Sequence, residues 1–254
     1  MDGIPPVAGL RTGLVCAAAL RLPPGNPARL RAVGAASVGR AGASHDGWLA
    51  EHEAKQLLRT ARLPVVEGRL VADEDDAVVA FGELGGPVAL KLSAPALRHK
   101  SDAGALVLDV RDEGALRAAH RRLGELGVED AGVLVERMAP AGAELLVAAR
   151  LDGVVPHLVI AAGGLWTELL ADAAVVPLPA GPEQVERAIR SLRAAPLFTG
   201  GRGRAPLDVA AAASLGAATG ELLIGAELAL IELNPVLVHE HGVTVVDALA
   251  LRVA

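Results

Sequence analysis

Three apolar runs that follow one another almost without interruption constrain the fold of this chain most strongly. They are Gly132 to Met138, Ala143 to Leu151 and His157 to Ala162, and each has the length of a β-strand. Strands joined by so few residues pair in antiparallel fashion, because a parallel pair needs a crossover of a dozen or more residues. The sequence therefore predicts antiparallel sheets and argues against a simple doubly wound parallel sheet.

Helical and extended patterns surround these runs, so we expect a mixed α/β chain without an internal repeat. Helices are predicted at Glu51 to Arg62, Asp73 to Leu84, Asp112 to Gly127, Pro182 to Arg193 and Asp208 to Leu223. Further extended segments are predicted at Leu63 to Val71, Val88 to Leu92, Ala105 to Val110, Trp166 to Pro177, Glu227 to Leu233 and Gly242 to Leu251. A glycine-rich loop is predicted at Thr199 to Arg204. Residues 1–47 are rich in Pro, Gly, Ala and Arg and predict a loosely ordered lead-in with one short helix at about residues 12–21.

Composition narrows the class of protein. Hydrophobic residues make up 52% of the chain, yet there are only two Trp and two Phe, so the core must consist of Leu, Val, Ala and Ile. The net charge of −6 gives no support for nucleic-acid binding. No apolar run is long enough for a membrane span, and the N-terminal residues lack the pattern of a signal peptide. With a single cysteine, Cys16, we expect a cytoplasmic protein without an internal disulfide.

Lysine is scarce in this chain, with three lysines against twenty-one arginines. Lys91 ends an apolar run, and Lys100 lies in the polar segment His99-Lys-Ser-Asp102, which Gly104 follows. A compact ammonium beside a flexible turn suits phosphate better than the broad arginine fork does. The third lysine is Lys55. Three remaining lysines can also be scattered by chance, so the residues alone leave both interpretations open.

A second polar set lies near the C-terminus. Glu232 and Asn234 alternate along a predicted strand and therefore share one face, and Asp247 stands in the next strand after a short turn. Two carboxylates and an amide oxygen are hard ligands suited to a Mg²⁺ ion that also holds substrate phosphates. The alternative is a polar stripe on an edge hairpin. We favour the metal, because bare carboxylates in otherwise apolar strands are costly.

These residues, taken in order, resemble the ATP-grasp domain of NDP-forming acyl-CoA synthetases. This domain is the beta chain, or fused C-terminal part, of ADP-forming acetate–CoA ligase, a relative of the succinyl-CoA synthetase beta chain. The motifs are Lys91, His99-Lys-Ser-Asp102, Gly104, Gly163-Gly164, Arg202-Gly203, Glu232-x-Asn234-Pro235 and Asp247. The resemblance implies an α+β ATP-grasp fold at residues 48–254, with two α+β lobes and mainly antiparallel sheets. Lobe one is expected at about 63–134, and lobe two at about 135–254 with the helix at 51–62.

The resemblance also implies a reversible reaction in which acyl-CoA, ADP and phosphate give free acid, CoA and ATP. His99 matches a histidine on a moving loop that passes phosphate to ADP, and an imidazole can accept and release phosphate near neutral pH. Lys100 would steady the phosphorylated form, and Asp102 would fix the ring tautomer. The remaining matches concern the nucleotide and its metal. They are Lys91, Gly104, Glu136, Glu144, Gly163, Gly164 and Arg202 for ATP or ADP, and Glu232, Asn234 and Asp247 for Mg²⁺.

Two further features of the sequence bear on activity. Ala105 and Arg62 stand where the family has glycine, which would stiffen or crowd the backbone near the nucleotide. No glycine-patterned CoA-binding unit precedes the ATP-grasp region, so we expect a separate alpha-type chain to bind CoA and the acyl substrate in a hetero-oligomer. Two other functions stay open: a degenerate, non-catalytic nucleotide-binding regulatory subunit, and a stand-alone ATP-grasp carboxylate ligase, which the histidine loop disfavours.

Overall fold

The computed structural model describes residues 26–37, 47–97, 100, 103–151, 155–164 and 172–253, without the side chain of Arg202. Its helices are α1 (Pro27–Ser37), α2 (Glu51–Thr60), α3 (Glu74–Leu84), α4 (Glu113–Gly124), α5 (Pro182–Ser191), α6 (Ala195–Thr199) and α7 (Val209–Gly225). Its strands are β1 (Gly68–Val71), β2 (Val88–Ser93), β3 (Leu106–Val110), β4 (Gly132–Arg137), β5 (Ala143–Arg150), β6 (His157–Ala162), β7 (Ala173–Pro177), β8 (Leu228–Val238), β9 (Val243–Val245) and β10 (Ala248–Arg252). Within this part of the chain no helix is long and apolar enough to cross a membrane.

The first sheet has four antiparallel strands in the order β1-β4-β2-β3. Helices α3 and α4 cover one face of it, where Leu90 and Val135 of the sheet join Leu116 of α4 in a core that is fully buried. Because side chains alternate along a strand, the residues between these apolar positions lie on the opposite face. That opposite face carries polar side chains, which places them outside this core.

The second sheet has six strands, in the order β10-β8-β5-β6-β7 with β9 also paired to β8, and all of these pairs are antiparallel. Helices α5 and α7 pack on one face, where Val185 of α5 and Leu215 of α7 meet Val147 of β5. Helix α2 adds Ala54 and Leu58 to the same core. The large aliphatic content of the chain therefore builds two separate cores, one for each sheet.

The antiparallel sheets confirm the predicted fold class, and capping residues confirm three of the helix starts. Asp73, Asp112 and Asp208 each accept a hydrogen bond from a backbone N–H in the first turn of the helix that follows. The predicted division into lobes at residues 134 and 135 stays a prediction. Strand β4 belongs wholly to the first sheet, so that sheet extends to Arg137.

Five expectations about local structure either differ from the structure or lie partly outside the described residues. The strand predicted from Leu63 begins only at Gly68, because the backbone before it bonds to β9 instead: Val66 N donates to Val245 O. The predicted glycine-rich loop contains a 3₁₀ turn at Gly201–Gly203. Helix α1 lies within the lead-in that was predicted to be irregular. The short helix predicted at residues 12–21 lies outside the described residues, as does the first part of the extended segment predicted at Trp166 to Pro177, whose last part forms β7.

Candidate active site

All three lysines of the chain converge on one buried group of charges. Lys55 Nζ lies 2.6 Å from Glu51 Oε1, and Lys91 Nζ lies 3.0 Å from the same oxygen. Lys100 Nζ lies 3.0 Å from Glu51 Oε2 and 3.1 Å from both carboxylate oxygens of Asp247. The scarce lysines are thus close together in the structure. We call Glu51, Lys55, Lys91, Lys100, Glu136 and Asp247 the lysine cluster.

Glu136 is the second shared anion of the lysine cluster. It pairs with Lys55 through Oε1 and with Lys91 through Oε2, the latter at 2.9 Å. Both ammonium groups also donate to the backbone oxygen of Val246, Lys55 at 2.6 Å and Lys91 at 2.8 Å. Among the described residues the cluster holds three ammonium groups and three carboxylates, so its charges balance.

The secondary structure explains why these side chains meet. Leu90 and Leu92 of β2 point into the core under α3 and α4, so Lys91 lies on the other face of the first sheet. Val135 of β4 does the same, which places Glu136 beside Lys91 on that face. Helix α2 contributes Glu51 and Lys55 one turn apart. The connection between β9 and β10 supplies Val246 and Asp247 from the second sheet.

Burial and neighbouring charges shift the pKa values within the lysine cluster. Burial alone would raise the pKa of Glu51, but the ammonium groups of Lys91, Lys55 and Lys100 outweigh it and hold that pKa well below its usual range. Burial opposes the charge of Lys91, yet Glu51 and Glu136 raise its pKa above the ordinary value. Burial and the neighbouring Lys91 charge lower the pKa of Lys55. Glu51 and Lys91 are therefore a charged pair at neutral pH.

Asp247 differs from the other carboxylates of the lysine cluster. Its side chain is 27% exposed, whereas those of Glu51 and Glu136 are almost fully buried. Burial, and then the charge of Glu51, raise the pKa of Asp247 above its ordinary value, although Lys91 and Lys100 oppose them. Asp247 thus forms the accessible edge of the cluster.

The predicted metal ligands lie on one face of the second sheet. Ile231 and Leu233 point into the core, so Glu232 and Asn234 lie on the opposite face. Glu232 pairs in register with Leu249 of β10, and Asp247, two residues earlier, shares the face of Leu249. Asn234 N donates to Asp247 O at 3.2 Å. The three side chains of the predicted magnesium site therefore share the face away from the core, which we call the open face.

Oxygen donors of this kind fit Mg²⁺. Asn234 is exposed and Glu232 and Asp247 are half-buried, so all three can reach an ion that keeps waters or substrate oxygens as further ligands. Within the part of the chain that the structure describes, no group of three His, Cys, Asp or Glu side chains has the geometry of a metal site. The predicted set contains two carboxylates and one amide, so the remaining donors must come from a ligand.

Glu144 and the glycine pair line a cleft with a volume of about 740 Å³. Glu144 lies on β5 between two residues that face the core, so its own side chain lies on the face away from the core. Its backbone oxygen accepts a hydrogen bond from Gly163 N at 2.7 Å. A Cβ on Gly163 would lie 2.7 Å from Glu144 Cβ, and one on Gly164 would lie 2.7 Å from Glu144 Oε2. Both positions therefore require glycine if Glu144 is to keep its place.

The replaced glycines have different structural consequences. Ala105 is fully buried among the core residues of the first sheet, so its methyl group packs rather than projecting into the cleft. Gly104 before it keeps a left-handed backbone with φ of 65°. Arg62 adopts a left-handed φ of 59°, which a residue with a side chain adopts at a cost of about 1–2 kcal/mol. The fold thus tolerates both changes.

Some predicted site residues lie outside the described residues: His99, Asp102 and the side chain of Arg202. In contrast, sequence reasoning did not identify Glu51 as a site residue, and it noted Lys55 for its rarity and its place in a family-like segment without assigning it a role in the site. One signal was available, because Glu51 and Lys55 are spaced i, i+4 on the helix face that also carries Ala54 and Leu58. Charged residues on an apolar helix face indicate buried ion pairs.

Residues 40–251 match the family model of the ATP-grasp domain, so the fold and the site together define an ATP-grasp protein. The beta subunit of ADP-forming acetate–CoA ligase I from Pyrococcus furiosus is 33% identical over 208 residues, which cover 79% of this chain and 90% of that subunit. By this similarity the chain belongs to the family of ADP-forming acetate–CoA ligase beta subunits. The family resemblance inferred from the motifs is confirmed.

Two further comparisons agree with this assignment. Trans-feruloyl-CoA synthase from an unknown prokaryotic organism is 35% identical over 215 residues, which are 81% of this chain and 30% of that protein. A solved structure of dinucleotide-forming acetyl-coenzyme A synthetase 1 from Ca. Korarchaeum cryptofilum contains coenzyme A and Mg-AMPPCP, with its phosphohistidine segment pointing towards the nucleotide binding site. It matches this chain with a TM-score of 0.72 and 33% identity, covering 81% of this chain and 93% of that one.

Proposed function

We propose that this chain is the nucleotide-binding subunit of an ADP-forming acyl-CoA synthetase. It transfers phosphate between a phosphohistidine and ADP or ATP. The single observation that carries the proposal is the lysine cluster, which brings Lys91 and Lys100 together next to Asp247 of the open face. Phosphoryl transfer needs mostly positioning and neutralisation of charge, and ammonium groups beside hard oxygen ligands supply both.

The nucleotide is proposed to bind with its phosphates near Lys91 and with its remaining contacts along Glu136, Glu144 and the pair Gly163-Gly164. The ammonium of Lys91 is charged at neutral pH, because Glu51 and Glu136 raise its pKa. The two glycines let the Glu144 side chain pack directly against their backbone, which fixes it at the wall of the cleft. Gly104 and Arg202, which match nucleotide-contacting positions of the family, complete the proposed set.

Glu232, Asn234 and Asp247 are proposed to hold Mg²⁺. When bound, the ion would neutralise charge on the phosphate oxygens and orient them. Asp247 contributes through its position: it is the one carboxylate of the lysine cluster that is also accessible from the open face. Lys100 Nζ lies 3.1 Å from both of its oxygens, so the ion and the Lys100 side chain would share the Asp247 carboxylate.

His99 is proposed to carry the phosphoryl group. In the direction of ATP synthesis, the bond between phosphorus and the imidazole nitrogen breaks, and a bond forms between phosphorus and a terminal oxygen of ADP. The proposal for His99 rests on the family motif and on its neighbour Lys100, which is fixed in the lysine cluster.

Coenzyme A and the acyl substrate are proposed to bind to a separate alpha-type chain, with which this chain forms a hetero-oligomer. The support is the similarity to a protein named as a beta subunit, whose length this chain nearly matches. This chain spans 30% of trans-feruloyl-CoA synthase, which fits the same separation of functions between parts of one longer chain. A cytoplasmic location fits the single cysteine.

Labelling with phosphate tests the proposed function. The purified chain is incubated with Mg²⁺ and ATP labelled at the γ-phosphate, and the protein-bound label is assayed for stability in acid and base. We expect a label that is labile in acid and stable in base, and His99→Ala should abolish it. His241→Ala is the matched control, because His241 is exposed on the β8–β9 turn and should leave the label unchanged.

The same experiment separates the alternatives. A label that persists in His99→Ala overturns the assignment of His99. Binding of ATP without any label supports the non-catalytic regulatory subunit, for which the replaced glycines at positions 62 and 105 are the motivating observation. Release of ADP with an acid and an amine or thiol acceptor alone, without an alpha-type chain, would support the stand-alone ligase.

A further inference from the structure

The residue with the most ion pairs in the lysine cluster is a carboxylate that no family motif quoted above includes. Glu51 contacts Lys55 and Lys91 through Oε1 and Lys100 through Oε2, and it is 2% exposed. It is ionised at neutral pH, because the three ammonium groups lower its pKa. A single internal anion therefore neutralises the same ammonium groups that a nucleotide phosphate would approach.

We propose that Glu51 is a competing internal anion, which yields its place beside Lys91 and Lys100 when nucleotide phosphate binds there. This inference rests on the proposed function. A triphosphate brings several negative charges, and like charges a few ångströms apart repel strongly where water is scarce. Glu51 and the phosphate therefore cannot both remain close to Lys91 without a large electrostatic cost.

The contacts indicate that Glu51 rather than Glu136 gives way. Glu51 Oε2 pairs with Lys100 and Glu136 Oε2 pairs with Lys91, and neither oxygen has a partner with hydrogen-bond geometry among the described residues, so the two carboxylates differ in the elements that carry them and in what their loss leaves behind. Glu51 belongs to the first turn of α2, at a helix end, whereas Glu136 lies within a strand that is paired on both sides. When Glu51 moves away, Lys55 keeps Glu136 and Val246 O as partners. Lys55, which is fully buried, therefore keeps a carboxylate partner after Glu51 has moved.

Because Glu51 and the phosphate compete for the same ammonium groups, the affinity for nucleotide should depend on the charge at position 51. Replacing Glu51 by Gln keeps the size of the side chain and removes the competing charge. We expect Glu51→Gln to bind ATP about 5-fold more tightly or better, because the phosphate no longer displaces an anion. Tighter binding distinguishes this role from a structural one, since a residue that merely positioned Lys91 would weaken binding when it was lost.

Calorimetric titration of wild type and Glu51→Gln with ATP tests the inference. Glu186→Gln is the matched control, because Glu186 forms an exposed ion pair on α5, and its affinity for ATP should equal that of wild type. AMP is the matched ligand: it lacks the terminal phosphates, so Glu51→Gln should change its affinity less. Equal or weaker binding of ATP by Glu51→Gln, beside a wild type that binds ATP, overturns this inference alone. A wild type that binds no nucleotide overturns the proposed function with it.

A second measurement needs no variant. Hydrogen–deuterium exchange of the wild type, with and without ATP, reports on the first turns of α2. Displacement of Glu51 removes ion pairs that fasten this end of the helix, so we expect faster exchange at residues 51–55 with ATP bound. Unchanged or slower exchange there overturns the inference. AMP, which lacks the terminal phosphates, should have the smaller effect.

Discussion

Lys55→Met should be one of the most destabilising single changes in this chain. The Lys55 side chain is fully buried and pairs with Glu51 and Glu136, while its third partner is Val246 O at 2.6 Å. Methionine has a similar length but no charge, so two carboxylates would share one fewer cation. Removing one partner of a buried ion pair costs about 3–5 kcal/mol. Lys91 still contacts both carboxylates, so we expect a loss of about 3–4 kcal/mol.

Urea denaturation followed by circular dichroism measures this loss, provided that the dependence of the unfolding free energy on urea stays the same. Arg190→Met is the matched control. Arg190 and Glu186 are also spaced i, i+4, but they are exposed, and such pairs contribute about 0.3–0.5 kcal/mol. Both variants remove a cation from an i, i+4 pair on a helix, and they differ mainly in the burial of that cation and in its second carboxylate partner.

A double variant tests the electrostatic reasoning itself. Glu136→Gln combined with Lys55→Met restores the balance between the ammonium groups and carboxylates of the lysine cluster. We therefore expect the double variant to be more stable than the sum of the two single changes predicts, by about 2 kcal/mol. A Lys55→Met variant within about 1 kcal/mol of wild type, or losses that simply add, would refute this account of the cluster.

Two further predictions concern capping and close packing. Asp208→Ala should cost about 1–2 kcal/mol, because Asp208 caps α7. Hydrogen bonds from Ala211 N and the β8–β9 turn lower the pKa of Asp208, so its contribution is full above the unfolded-state pKa of about 3.9 and disappears as pH falls through the lower folded-state pKa. Urea denaturation of wild type and variant should therefore converge in acid, and a difference independent of pH would contradict this. Gly163→Ala should cost about 1–3 kcal/mol and weaken ATP binding, since a Cβ there would lie 2.7 Å from Glu144 Cβ. Gly82→Ala on the exposed face of α3 should instead stabilise by about 0.5–1 kcal/mol, and equal effects in thermal unfolding would exclude crowding as the cause.

Local patterns were sufficient to predict most of the fold. Apolar runs located β4, β5 and β6 within about a residue at each end, because at least half of the residues of each strand are buried. Aspartate caps marked three helix starts. Strand β8 was predicted to end at Leu233, before Pro235, but it continues to Val238. Proline has no N–H to donate to a neighbouring strand, but its carbonyl oxygen can accept a hydrogen bond. Pro235 O accepts one from Val246 N, and the prediction overlooked this acceptor.

The site was predictable only in part, because its charges meet through contacts between distant segments. The rarity of lysine indicated Lys91 and Lys100, and the alternation in β8 placed Glu232 and Asn234 on one face. Glu51 could not be assigned in this way. A glutamate in a first helical turn is usually a solvated residue that favours the helix dipole, and only the approach of α2 to both sheets buries it.

Helix α2 belongs to one sheet by its apolar contacts and to the other by its charges. Ala54 and Leu58 sit in the core of the second sheet, while Lys55 reaches Glu136 of the first. The two sheets are thereby joined through ion pairs that are buried away from solvent. Counter-ions in solution screen buried ion pairs far less than they screen a surface ion pair. The relative orientation of the sheets should therefore be as well defined in concentrated salt as in dilute buffer.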